Sequence, residues 1–105
     1  MNAIVVITTT ETFDQAEKIA QALIEGELAA CVQILPPMTS IYRWQGQIEK
    51  ATEHLLFIKT LHSSYLQVEA AIKANHPYQT PEVIALPIEA GAEDYLTWLA
   101  QAVKG

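Results

Sequence analysis

The chain has 105 residues, half of them hydrophobic, and a formal net charge of −6. This length fits one domain, residues 1–105, with enough apolar side chains to form a core. Nucleic acids and anionic lipid surfaces are bound mainly through Lys and Arg, and the chain has only 6 of these against 12 Asp and Glu. The charge therefore argues against nucleic-acid and membrane partners, whereas it is compatible with cations.

The compartment is predicted from the single cysteine and from the first residues. Cys31 has no partner for a disulfide within the chain, which suits a reducing environment. The residues after Met1 lack the basic and apolar regions of a signal peptide. No apolar run approaches the ~20 residues that a membrane-spanning helix needs. We therefore expect a cytoplasmic protein.

A buried strand and an amphipathic helix open the chain. Ala3 to Ile7 is a continuous apolar run rich in β-branched residues, which is typical of a buried strand. Thr12 and Gln15 have the spacing of a capping box, and Gly26 stands where a helix-ending glycine is expected. The apolar positions of the predicted helix are Phe13, Ala16, Ala20, Leu23 and Ile24.

A long hairpin is predicted between the second and third strands. The second strand runs from Ala29 to Leu35, is interrupted at Pro36-Pro37 because proline cannot donate a ladder hydrogen bond, and resumes at Ser40 to Trp44. Gln45-Gly46 is a plausible tight turn. Gln47 to Thr60 returns as the third strand, polar first and apolar later, so we expect the hairpin tip to project beyond the body.

The second half of the chain completes an α+β pattern. A helix capped by Ser63 or Ser64 reaches Asn75, the fourth strand spans Glu82 to Ile88, and a last helix begins near Glu93. The apolar stripe of that last helix is Tyr95, Trp98, Leu99, Ala102 and Val103. The order βαββαβ plus a terminal helix predicts the ferredoxin-like split βαβ fold, with both inner helices on one face of an antiparallel sheet.

The strands are too apolar for a sheet that is covered on one face only. Apolar residues follow one another, without alternating with polar ones, in three segments: Ile4–Ile7, Leu55–Ile58 and Val83–Leu86. Leaving large aliphatic side chains in water forfeits roughly 1.5–3 kcal/mol each, and a patch of this kind usually marks an interface. We therefore expect a homo-oligomer, with Tyr42 and Trp44 near the hairpin tip as further contacts. In the alternative, the last helix covers the open face and completes a monomer.

Few residues are candidates for chemistry. Cys31 is either a small core residue or a soft ligand for copper(I). His76 either stabilises a helix C-terminus through the dipole or acts as a ligand or acid–base group near Tyr78. Glu53 and Lys59 share a strand face and are either charges at an interface rim or residues of a cleft between subunits.

Five blocks of the sequence, in this order and spacing, resemble the CutA divalent-ion tolerance family. They are Ala29–Val32, Ser40–Glu49, Ile58–Thr60, His76–Val83 and Tyr95–Leu99. The resemblance covers nearly the whole chain and implies a trimer of ferredoxin-like subunits, related in architecture to PII signalling proteins. It also implies a role in tolerance of divalent metal ions, copper in particular.

The resemblance further implies a cleft between subunits and a set of metal ligands. The implied cleft residues are Tyr42, Trp44, Glu53, Lys59, His76, Tyr78, Pro81, Glu82 and Trp98. Cys31 and His76 match family positions for metal ligands, whereas Asn75 stands where some members carry a second histidine. That asparagine weakens a copper site.

Three functions follow in order of preference. The first is a non-enzymatic homotrimer that binds copper or a similar divalent cation. The second is a PII-like signalling protein that binds a small metabolite in the cleft between subunits. An enzyme ranks last, because no nucleophile motif, glycine-rich phosphate loop or pair of carboxylates with catalytic spacing stands out.

Overall fold

The computed structural model describes residues 2–104 and contains the predicted order of elements. A 3₁₀ turn, His62–Ser64, joins the fourth strand to the second helix. The strands and helices are β1 (Ala3–Thr10), α1 (Phe13–Glu25), β2 (Cys31–Ile34), β3 (Met38–Trp44), β4 (Gln47–Leu61), α2 (Tyr65–Asn75), β5 (Ile84–Pro87) and α3 (Glu93–Ala102). None of the helices in residues 2–104 is long and apolar enough to cross a membrane.

All strand pairs are antiparallel, and the central sheet has the order β2-β4-β1-β5. The two halves of β4 have different partners. Its second half pairs with β1 and β2, whereas its first half pairs with β3, from Met38 opposite Glu53 to Trp44 opposite Gln47. The prolines at 36 and 37 divide the predicted second strand into β2 and β3, as expected. The mixed α+β fold with an antiparallel sheet is confirmed.

The hairpin of β3 and β4 is closed by the predicted two-residue turn. Gln45 and Gly46 have φ values of 51° and 79°, and two positive φ values are what a type I′ turn requires. This turn matches the twist of the flanking strands, so the hairpin continues straight out of the sheet. The molecule is accordingly elongated, with extents of 44 × 25 × 23 Å.

Helix α1 begins and ends at the predicted residues. Its capping box is confirmed, because Thr12 Oγ1 accepts from the Gln15 N–H at 3.2 Å and Gln15 Oε1 accepts from the Thr12 N–H at 3.4 Å. Gly26 is the C-terminal cap, as predicted, although its φ of −80° is an ordinary helical value. Glu27 takes the left-handed position instead, with φ 56°, and the Leu28 N–H closes the helix on Leu23 O at 2.9 Å.

Replacing Glu27 with glycine is expected to stabilise the protein by about 0.5–1 kcal/mol. A left-handed conformation costs a non-glycine residue roughly 1–2 kcal/mol, and the added flexibility of glycine in the unfolded chain offsets part of that gain. Urea denaturation at one fixed protomer concentration measures the change. Glu25→Gly, inside the helix, is the matched control and should lose about 1 kcal/mol. A loss for both variants would contradict the assignment of the left-handed position.

Three other boundaries differ from the predictions. The fourth strand is shorter than predicted, because the register of β5 with β1 ends at Ile84 opposite Ile7. The second strand forms ladder pairs only over Cys31–Ile34, although single bonds from Ala30 and Leu35 extend it. Ser64 precedes α2, but its side chain makes no capping bond, since the 3₁₀ turn leads directly into the helix.

Helices α1 and α2 cover one face of the sheet and form the main core. Alternate residues of the two central strands point into it, as the period of a strand requires. The large buried side chains of this core are Ile4, Val6, Ile19, Leu23, Leu56, Ile58, Val68 and Ile72. Both inner helices therefore lie on the same face, as predicted.

The opposite face is covered at one end only. Leu99 of α3 and Val103, which follows the helix, are buried against Ala3 there. The prediction that Tyr95 and Trp98 belong to the apolar stripe that packs on the sheet is wrong for the single chain, because these side chains are 40% and 46% exposed. Leu96, Leu99 and Val103 pack there instead. On β5, Ile84 and Leu86 are 49% and 50% exposed. Helix α3 therefore does not cover this face of the single chain.

Candidate functional site

A cleft of about 560 Å³ runs along the β3–β4 hairpin, from the loop that follows α2 to Trp44 near the hairpin tip. Three parts of the chain contribute to it: the end of β1, the facing residues of β3 and β4, and the segment from residue 78 to residue 82. The lining residues are Thr9, Glu11, Ser40, Ile41, Tyr42, Trp44, Ala51, Glu53, Tyr78, Gln79, Thr80 and Glu82.

His76 fastens the loop after α2 to the end of β1. Its Nε2 lies 2.6 Å from the carbonyl oxygen of Thr9, and its Nδ1 lies 3.2 Å from the backbone nitrogen of Tyr78. A carbonyl can only accept and an N–H can only donate, so the geometry assigns a neutral ring with its proton on Nε2. Both ring nitrogens are therefore engaged, and neither is free for a metal ion or for proton transfer.

Tyr78 and Glu53 form the buried polar contact of the cleft. The Tyr78 hydroxyl donates to Glu53 Oε2 at 2.7 Å, and Glu53 is only 6% exposed. No Lys or Arg within residues 2–104 forms an ion pair with this carboxylate; the ion pair of that range joins Lys73 to Glu69. Burial, the hydrogen bond to Glu53 and its negative charge raise the pKa of Tyr78 above the ordinary value of 10.0.

The raised pKa of Tyr78 predicts a loss of stability in alkali. Above pH 10 the unfolded chain releases the phenolic proton while the folded chain still holds it, so the unfolded state is favoured as the pH rises. We expect the free energy of unfolding to fall more steeply between about pH 9 and pH 11 in the wild type than in Tyr78→Phe. Urea denaturation at several pH values measures this, and equal slopes would contradict the assignment.

The structure separates the cleft residues implied by the family resemblance into two places. Tyr42, Trp44, Glu53, Tyr78 and Glu82 line the cleft. His76 and Pro81 belong to the loop that carries Tyr78 and Glu82, but they do not line it.

Lys59 and Trp98 lie away from this cleft within one chain, and the prediction that they line a cleft between subunits stays a prediction. Lys59 lies opposite Cys31 in the sheet, and its Nζ is 5.7 Å from the centroid of the Tyr95 ring. Trp98 contacts the same ring, with the two centroids 5.5 Å apart. Glu53 and Lys59 are six residues apart on β4, roughly 20 Å, so a shared face does not bring them together.

Several lining residues were not predicted. Gln79 and Thr80 lie inside the His76–Val83 block, and Thr9 lies in a run of threonines. The sequence therefore marked these segments, but the residue types did not show that these side chains line a cleft. Ser40 likewise begins the Ser40–Glu49 block, whereas Glu11 had no signal, because only the tertiary fold brings the end of β1 beside the hairpin.

One chain does not provide a copper site built on Cys31 and His76. Cys31 lies opposite Lys59, whereas the Thr9 carbonyl that holds His76 lies opposite Leu55, about 13 Å further along β4. Within residues 2–104, no three His, Cys, Asp or Glu side chains cluster so that they could hold a metal ion. The side chains of a single copy therefore do not fit a strong metal site.

Comparison with known proteins gives the family. Residues 4–102 match the family described as CutA1 divalent ion tolerance protein. The divalent-cation tolerance protein CutA of Thermus thermophilus is 46% identical over 97 residues, which are 92% of this chain and 94% of that protein. The chloroplastic protein CutA of Arabidopsis thaliana is 40% identical over 102 residues, which are 97% of this chain and 56% of that protein.

Solved structures agree with this match. The divalent cation tolerance protein of Thermus thermophilus superposes with a TM-score of 0.95 at 44% identity, over 97% of this chain and 99% of that one. CutA1 from Oryza sativa gives a TM-score of 0.96 at 40% identity, over 99% and 95% of the two chains. None of these relatives is named as a PII protein, so the PII-like alternative gains no support from them. This chain belongs to the CutA divalent-cation tolerance family.

Proposed function

We propose that the protein is a cytoplasmic homotrimer of ferredoxin-like subunits that takes part in divalent-cation tolerance by binding the cation weakly, without catalysing a reaction. Copper is the first cation to test. The observation that carries the proposal is the acidic cleft: Glu11, Glu53 and Glu82 line it, and no Lys or Arg is among its lining residues. The net charge of −6 adds a long-range attraction for cations.

The strand order and the open sheet face support the assembly. An antiparallel β2-β4-β1-β5 order with α1 and α2 on one face is what the ferredoxin-like split βαβ arrangement has. The other face presents Ile84, Leu86 and Trp98 to solvent in a single copy, and these side chains are of the types that bury themselves in stable interfaces. A trimer would cover them and place the clefts near subunit boundaries.

The cleft carboxylates are the ligands that the geometry favours for a divalent ion. Glu11 and Glu82 lie at the exposed part of the cleft. Carboxylate oxygens suit hard divalent ions best, so they would hold copper(II) weakly, with waters completing its coordination. The Cys31 thiol is half-buried and would hold copper(I) only with a second ligand from a neighbouring copy.

A role without catalysis agrees with how the ionisable groups of the cleft are used. The Tyr78 hydroxyl donates to Glu53, and the neutral His76 ring bonds two backbone groups. Neither is left free to exchange a proton with a substrate. The cytoplasmic location stays a prediction, because relatives of this family include proteins named as chloroplastic and periplasmic; fractionation of the source cells tests it.

Calorimetric titration with copper(II), and with copper(I) under reducing conditions, tests the proposal. We expect Glu11→Gln/Glu82→Gln to weaken copper(II) binding at least tenfold and Cys31→Ser to affect copper(I) alone. Glu17→Gln/Glu25→Gln is the matched control, because it removes the same charge from the exposed surface of α1. Saturable binding that is unchanged in the cleft variant would place the cation elsewhere, and no binding by the wild type would overturn the proposal.

A further inference from the structure

We infer that the cleft binds a primary ammonium ion carried on an apolar body, with Glu53 as the anchor of the nitrogen. This goes beyond the proposed metal function and does not depend on it, because it rests on the side chains that line the inner part of the cleft. The ligand class is an organic amine that is protonated at neutral pH.

Glu53 is a buried carboxylate that lacks a cationic partner. It is 6% exposed, and a neutral phenol, Tyr78, donates to its Oε2. Its Oε1 accepts no hydrogen bond from residues 2–104, and no Lys or Arg of that range pairs with it. A buried negative charge is costly unless a cation or further donors compensate it, so an anchored positive charge would stabilise this site.

Aromatic and aliphatic side chains line the part of the cleft that runs from this carboxylate toward the hairpin tip, with Tyr42 nearer to Glu53 than Trp44 is. Tyr42, Trp44 and Ile41 of β3 line the same cleft and are 44%, 39% and 67% exposed in the single chain. Aromatic faces attract cations as well as apolar groups. A ligand with a charged nitrogen at one end and an apolar body behind it matches both parts of the cleft.

The residues that line the cleft favour a primary ammonium ion over an anion, a bare metal ion or a quaternary ammonium ion. An anion would meet three carboxylates and no Lys or Arg. A bare metal ion would find no cluster of three His, Cys, Asp or Glu ligands in residues 2–104, so it would be held weakly and would leave the apolar wall of the cleft unused. Hydroxyl oxygens of Thr9 and Ser40 also line the cleft and can accept from an N–H, which favours a primary ammonium over a quaternary one.

The size of the cleft agrees with a small molecule. Ligand sites commonly have volumes of about 300–1,000 Å³ and combine apolar walls with a few polar groups, and this cleft has about 560 Å³. It therefore accommodates an amine of the size of 2-phenylethylamine.

Titration of the native oligomer with 2-phenylethylamine, followed by calorimetry, tests the inference. 2-Phenylethanol and 3-phenylpropionate have a similar body without the positive charge and serve as matched probes. We expect the amine to bind at least tenfold more tightly than either. Glu53→Gln and Tyr42→Ala should each weaken the amine at least fivefold, whereas Glu17→Gln should not change it.

Two results would overturn the inference. The first is equal binding of the amine and the alcohol, or no binding of the amine to an intact oligomer. The second is dissociation of the oligomer by Glu53→Gln, which would mean that a Lys or Arg of a neighbouring copy fills the site. Copper titration of the same samples is read separately, so that a failed metal proposal and a failed amine inference are distinguished.

Discussion

Replacing Leu86 with glutamate is expected to convert the oligomer into monomers. Leu86 lies on β5 opposite Val5, on the sheet face that the helices α1 and α2 do not cover, and it is 50% exposed in a single copy. If a neighbouring copy covers this face, the variant buries an unpaired carboxylate in the interface. Such a charge costs about 3–5 kcal/mol, which weakens association between a hundredfold and a thousandfold or more.

The matched control for this variant is Leu66→Glu. Leu66 lies on α2 and is 75% exposed, so the same substitution there should leave the oligomer intact. Sedimentation velocity at micromolar protomer concentration distinguishes the two variants, and circular dichroism shows that both are folded. An oligomer that survives Leu86→Glu would remove the open face from the proposed interface.

Removing the Tyr78 hydroxyl is expected to destabilise the protein by about 2–3 kcal/mol. In Tyr78→Phe the buried Glu53 carboxylate loses its hydrogen-bond donor and keeps its charge. Hydrogen bonds to charged groups are worth roughly 1.5–3 kcal/mol, and a buried acceptor that is left without a donor is especially costly. Urea denaturation near neutral pH, at one protomer concentration, measures the change.

Tyr65→Phe provides the control for this second prediction. Its hydroxyl also donates to a glutamate, Glu69, at 2.9 Å, but the Glu69 side chain is 31% exposed and lies 3.9 Å from Lys73 Nζ, so water and a cation compensate its charge when the hydroxyl is removed. We expect a loss below about 1 kcal/mol there. The double variant Tyr78→Phe/Glu53→Gln should recover part of the loss of Tyr78→Phe, because the unpaired charge is gone. Equal losses for the two tyrosines would mean that Glu53 is well solvated.

The parts of the fold that were predicted correctly have local causes. The capping box needs only Thr12 and Gln15, the turn needs only Gln45-Gly46, and the break between β2 and β3 needs only two prolines. Each feature depends only on residues within a few positions of one another, so it can be predicted from the local sequence alone. The apolar runs similarly predicted a sheet whose two faces are both apolar.

The parts that were not predicted depend on distant residues. Helical spacing placed Trp98 and Leu99 in one stripe, but only the packing of α3 on Ala3 decides which of them is buried. Even spacing placed Glu53 and Lys59 on one face without saying that the cleft is at the far end of β4. The bond from His76 to Thr9 joins residues 67 positions apart, and it decides the tautomer of the ring.

The mass of the native protein in solution tests the central claim most directly, since the proposed trimer depends on copies covering one another's open sheet face. Sedimentation equilibrium at micromolar protomer concentration should give three times the chain mass of 11.6 kDa. A folded species of 11.6 kDa, with no tendency to associate as the concentration rises, would contradict the account.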